Sequence, residues 1–142
     1  MAFYPYQHNL GDVPVMHLPI GNIAVKPGDA LVLVGGKLAI AKDAVMPEYI
    51  SLYDSDGVKA ADGKMIPVEP VLPSTIYETE LTGSLSTVAL GTTHLISYNG
   101  ASITTASEQG PCKVVGCDGT AKGSRVRLIF VDPKAATAAA NA

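Results

Sequence analysis

Ala30-Leu31-Val32-Leu33-Val34-Gly35-Gly36-Lys37-Leu38-Ala39-Ile40-Ala41 is the stretch that decides the fold class. Two short apolar runs flank a Gly-Gly pair. Glycine takes positive φ at both turn positions without steric cost, so the stretch predicts a β-hairpin. Just upstream, Lys26-Pro27-Gly28-Asp29 carries Pro and Gly where a tight reversal favours them.

Further along the chain the same grammar recurs. Tyr49-Ile50-Ser51-Leu52-Tyr53 alternates and runs into Asp54-Ser55-Asp56-Gly57, with a second turn signal at Asp62-Gly63. Residues 64–73 contain Pro67, Pro70 and Pro73, which predicts a sheet edge or an extended crossing segment. Ile76-Tyr77-Glu78-Thr79-Glu80-Leu81 alternates as a half-buried strand does. Residues 91–98 lead into Asn99-Gly100, a strong hairpin dipeptide, with residues 101–104 as the return. Cys112-Lys113-Val114-Val115-Gly116-Cys117 stops at Asp118-Gly119, and residues 124–131 read as a closing strand. No long window carries a capped helical period; residues 81–90 are the one helix candidate and read equally well as a loop. The expected fold is therefore all-β: a compact small barrel or sandwich of short antiparallel strands.

Three segments are expected. Residues 1–22 hold Phe3, Tyr4 and Tyr6, three prolines and no period, and read as an extended N-terminal arm whose aromatics need a surface to pack on. Residues 23–132 form the β-rich body. Residues 133–142, mostly alanine and too short to hold a helix alone, predict a flexible tail.

Composition narrows the function classes. The formal net charge is −3 and the ten Lys and Arg residues are scattered, which argues against a nucleic-acid partner. No apolar run approaches the roughly 20 residues of a spanning helix, and no membrane partner is expected. The start lacks the basic and apolar regions of a signal peptide, so synthesis in a cytoplasm is expected. Only 16% of residues are charged, which suggests that a partner covers part of the surface.

The candidate chemistry is thin. Cys112 and Cys117 lack the partner ligands that zinc requires and read as small apolar strand residues. Asp54-Ser55-Asp56-Gly57 resembles the opening of a calcium loop, yet the twelfth position is Met65 where a bidentate Glu is needed. There is no phosphate loop and no Gly-x-Ser-x-Gly elbow. His94 reads as a strand-surface or buried, hydrogen-bonded histidine, and Glu78 with Glu80 as a solvated strand face. No catalytic residue, cofactor or metal is expected, and the chain does not read as an enzyme.

In layout, the Gly28-Asp29 to Ala41 hairpin, the Ile66-Pro67-Val68 crossing, the Tyr77-Glu78 strand, the Gly91 to Asn99-Gly100 unit and the closing Arg125-Val126-Arg127-Leu128-Ile129-Phe130 resemble the decoration, or cement, proteins of tailed bacteriophage capsids. The resemblance covers roughly residues 24 to 131 and rests on order and rhythm. It implies a virion protein, made in the host cytoplasm. Such a protein binds the major capsid protein on the outer shell and bridges capsomers, often as a homo-oligomer, with a trimer favoured. The expected contacts are Phe3, Tyr4, Tyr6 and His17 on the arm. The alternative expectation is a carbohydrate- or receptor-binding module displayed on a particle, with any site on loops.

Overall fold

The computed structural model describes residues 2–8, 14–84, 90–97, 100–104 and 109–133, with Gln7 and His8 placed by their backbone. Ten strands follow one another: β1 (Tyr4–His8), β2 (Met16–Pro19), β3 (Ala30–Val34), β4 (Lys37–Ile40), β5 (Tyr49–Ser51), β6 (Met65–Pro70), β7 (Thr75–Glu80), β8 (Thr93–His94), β9 (Cys112–Cys117) and β10 (Arg125–Phe130). They form two antiparallel five-stranded sheets, ordered β1-β7-β10-β9-β8 (sheet I) and β2-β6-β5-β3-β4 (sheet II). The all-β architecture expected from the sequence is present, and no helix occurs among the described elements.

The β3–β4 hairpin forms as its glycines predict. Gly35 and Gly36 have φ of 58° and 82°, and the register runs from Leu31 opposite Ile40 to Val34 opposite Lys37. The unbroken apolar run of β3 has a physical reason: both of its faces are covered. Leu31 and Leu33 join Ile20, Val25, Leu38, Ile66 and Val68 in a core enclosed by sheet II. Ala30 and Val32 point the other way, into the core shared with sheet I. Sheet II curls until its outer strands meet at a parallel bridge between Ile20 and Leu38, with the Gly21 N–H donating to the Leu38 carbonyl at 3.0 Å. The result is a small barrel with sheet I packed on one side.

Sheet I turns Tyr77, Val126, Leu128, Phe130, Cys112 and Val114 inward. A bulge leaves Val115 without an opposite residue, since Arg127 faces Gly116 and Leu128 faces Val114. That one-residue slip brings Cys117 back to the core side, where it packs on the cluster.

Two expectations are corrected. Residues 2–8 and 14–22, the described part of the expected arm, do not stand apart from the body: β1 is the outer strand of sheet I, and β2 belongs to sheet II. Phe3 is fully buried and Ala2 nearly so. Phe3 packs edge-on against Phe130 at 5.2 Å, Phe130 lies 5.1 Å from Tyr77, and the Phe3 N–H donates to the Gly28 carbonyl at 2.8 Å. The aromatic that lacked a visible place in the body fills the space between its sheets. Gly28, at φ 91°, is required here, because a Cβ would lie 2.3 Å from that of Ala2.

The second correction concerns β6, an inner strand despite its prolines. Residues 65–68 pair with β2 and residues 68–70 with β5, so the two partners overlap only at Val68. The Pro67 carbonyl accepts from the Leu52 N–H at 3.0 Å, beyond the end of β5. Pro67 therefore turns its missing N–H to a side where no ladder asks for one. The tail expected at residues 133–142 lies outside the described residues except for Pro133, as does part of the helix candidate at residues 81–90.

Removing the buried Phe3 ring should cost about 3–5 kcal/mol, whereas truncating exposed Tyr4 should change stability by only about 0.5 kcal/mol. Urea unfolding of Phe3→Ala and Tyr4→Ala measures both, and equal small losses would refute the buried placement.

Candidate functional site

The outer face of sheet I carries its side chains in cross-strand rows. Alternation turns Ile76, Glu78 and Glu80 of β7 outward, together with Arg125, Arg127 and Ile129 of β10. Tyr4, Glu78, Arg127 and Gly116 share one row; Glu80 faces Arg125 in the next. The Arg127 guanidinium lies 4.6 Å from the centre of the Tyr6 ring and pairs with Glu78 at 3.3 Å and Asp118 at 3.2 Å. Arg125 reaches the same Glu78 at 3.4 Å and stays 68% exposed. The Tyr4 ring, 57% exposed, stands beside an open pocket of about 220 Å³ lined also by Ala2, Glu78, Thr79, Glu80 and Arg125. The Arg125 pair, with its guanidinium exposed, contributes about 0–1 kcal/mol, whereas Arg127 and Glu78, 26% and 19% exposed, form a more enclosed pair.

A second surface lies on sheet II. His17 is exposed opposite Pro67, and Pro19 lies opposite Met65. With Val15, Leu52 and Met65 all exposed, β2 and the first half of β6 carry an apolar strip without a charged residue. Such a strip favours contact with another apolar surface.

His94, Cys112 and Asp54, three of the candidate groups, are engaged within the fold. His94 is buried, its Nδ1 is 2.8 Å from the Thr104 carbonyl and its Nε2 is 2.9 Å from the Thr92 hydroxyl. A carbonyl only accepts, so Nδ1 carries a proton, and the Thr92 hydroxyl occupies the other ring nitrogen, Nε2. Burial pushes the Cys112 thiol far above its ordinary value, and both cysteines are free thiols. Asp54 accepts the Asp56 N–H at 2.8 Å, the local turn bond expected of that motif. Among the described residues no three His, Cys, Asp or Glu side chains are placed to hold a metal ion.

Of the four contacts expected from the sequence, Tyr4 and Tyr6 come together on sheet I and His17 lies apart on sheet II. Phe3 is corrected to a core residue, since a side chain with no exposed surface cannot touch a partner. Arg125, Arg127 and Asp118 were missed. The alternation of residues 125–130 was the signal for the arginines, but the pairing that sets them beside β7 and β1 is long-range. No family model, curated protein or solved structure matches this chain.

Asp29 generates a pH prediction. Burial raises its carboxyl above the ordinary 3.8, although the Lys26 N–H, donating to Oδ2 at 2.9 Å, and the Lys26 charge pull it back. A raised folded-state pKa means that its contribution is greatest below the ordinary value and is lost as pH rises through the folded one. Asp29→Asn, which keeps an acceptor for Lys26, should therefore gain stability relative to the parent between pH 3 and pH 7 in urea unfolding.

Proposed function

We propose that this chain is a structural component of a virion that binds the outer surface of a phage capsid, with the major capsid protein as partner, and stabilises it by bridging capsomers. The observation that supports this most is the pair of separate contact surfaces, Tyr4 and Tyr6 on one sheet and the His17 strip on the other. A bridge needs two such surfaces on a body that holds them at a fixed spacing. The low charge content and the engagement of His94 and Cys112 in the fold agree with a binding role.

The mechanism is mass action: a ligand that binds the assembled shell and not its dissociated parts stabilises the assembly. In this reading the His17, Met65 and Leu52 strip seats on capsid protein by burying apolar area. Tyr4 and Tyr6 serve a second contact, and self-association of the chain belongs to the same reading, a trimer being the form the resemblance implies. Phe3 acts indirectly, by holding β1 in place.

A carbohydrate- or receptor-binding module is the second reading, favoured by the pocket beside the exposed Tyr4 ring. Glycan-array binding abolished by Tyr4→Ala would support it over the first.

Deleting the N-terminal segment would not test the proposal, because the deletion also removes Phe3. Point changes on exposed positions do. His17→Glu combined with Met65→Glu should lower occupancy on empty phage heads at least about tenfold while leaving thermal unfolding unchanged. Undiminished occupancy would remove the sheet II strip from the interface.

A further inference from the structure

Sheet I presents an acidic column, Glu78 and Glu80 on β7, directly beside a basic column, Arg125 and Arg127 on β10. The Glu80 carboxylate is exposed and makes no ion pair among the described residues, although Arg125 is its register partner. Arg125 instead makes a single 3.4 Å contact with Glu78, which already serves Arg127. One carboxylate and one loosely held guanidinium thus sit side by side on the face.

We propose that this face binds a second copy of the same chain, face to face, about a two-fold axis parallel to the strands and running between β7 and β10. Such an axis exchanges the two columns, so each acidic residue meets a basic one: Glu80 meets Arg125 of the second copy, and Arg125 meets its Glu80. A two-fold axis perpendicular to the strands would instead set acid over acid. An isologous contact requires this self-complementarity, in which residue i meets j and j meets i.

The remaining rows obey the same operation. Tyr4, Glu78, Arg127 and Gly116 lie in register, so the exposed Tyr4 ring falls over Gly116 of the second copy, a position with no side chain of its own that the Arg127 side chain borders. Ile76 and Ile129, half-buried neighbours on either side of the axis, meet each other's copies and add apolar area at the centre. Charge, shape and apolar matching come from three separate rows of one register. The proposal does not rest on the shell-binding reading, because self-association is measured on the isolated chain, and it puts a two-fold pair in place of the trimer that the resemblance implies.

The test is sedimentation of the full chain across a concentration series, with thermal unfolding as a control for folding. The wild type should form a dimer. Arg125→Glu and Glu80→Arg, each at an exposed position, should each raise the dimer Kd about a hundredfold, because like charges then oppose each other twice across the axis. The double variant, with both changes in one chain, should dimerise again, and an equimolar mixture of the two single variants should form a heterodimer. Gly116→Leu should fold normally, since its φ is not positive and a Cβ there meets only the Arg127 side chain at 3.7 Å, yet should fail to pair. A monomeric wild type, an oligomer of any size indifferent to both reversals, or a Gly116→Leu chain that still pairs would each overturn the proposal. A monomeric wild type whose binding to empty heads falls with Arg125→Glu would overturn it in favour of capsid protein on this face.

Discussion

The rest of the structure depends on one side chain near the start of the chain wedging the two sheets together. Phe3 lies between sheet I and the sheet II barrel, against Phe130, while its N–H is tied to the Gly28 carbonyl on the barrel side. Immediately afterwards Tyr4 pairs with Glu78 in sheet I. Two neighbouring residues therefore bind both sheets, and the aromatic contact with Phe130 adds about 0.5–1.5 kcal/mol beyond the area it buries. Gly28 lets Ala2 approach closely enough for the ring to reach its place.

Local elements were legible in the sequence where turn chemistry and alternation agree. The Gly35-Gly36 hairpin, the β7 alternation, and the runs that became β9 and β10 fall where their residues predict. Phe3 was not legible. Its partners, Phe130 and Gly28, are far away in the chain, and the segment around it has no period to assign an inner face. The prolines of β6 misled for a related reason: proline excludes a strand position only where a neighbour needs its N–H, and β6 changes neighbours near Pro67. Of the proposed contact residues, the exposed tyrosines and His17 could be named from residue type, but their division between two surfaces follows from which sheet each strand joins.

The same wedge bears on the proposed role. A protein that bridges others must hold its contact surfaces at a fixed spacing, and Phe3 couples the Tyr4 and Tyr6 face to the barrel that carries the His17 strip. Embedding the segment costs the reach of a free arm and fixes its exposed residues in return, which reduces the entropy lost on binding. Pro5, on the outer strand of sheet I, has no N–H to offer an added strand, which favours contact through side chains on the face over strand addition at the edge.

Native-state amide hydrogen exchange at Phe3 tests this account most directly. If the wedge holds the sheets together, the Phe3 amide exchanges only through the global opening that also exposes Val126 and Leu128, with the same protection and the same denaturant dependence. Exchange at Phe3 far faster than in β10, through a local opening insensitive to denaturant, would contradict it and restore a detachable N-terminal segment.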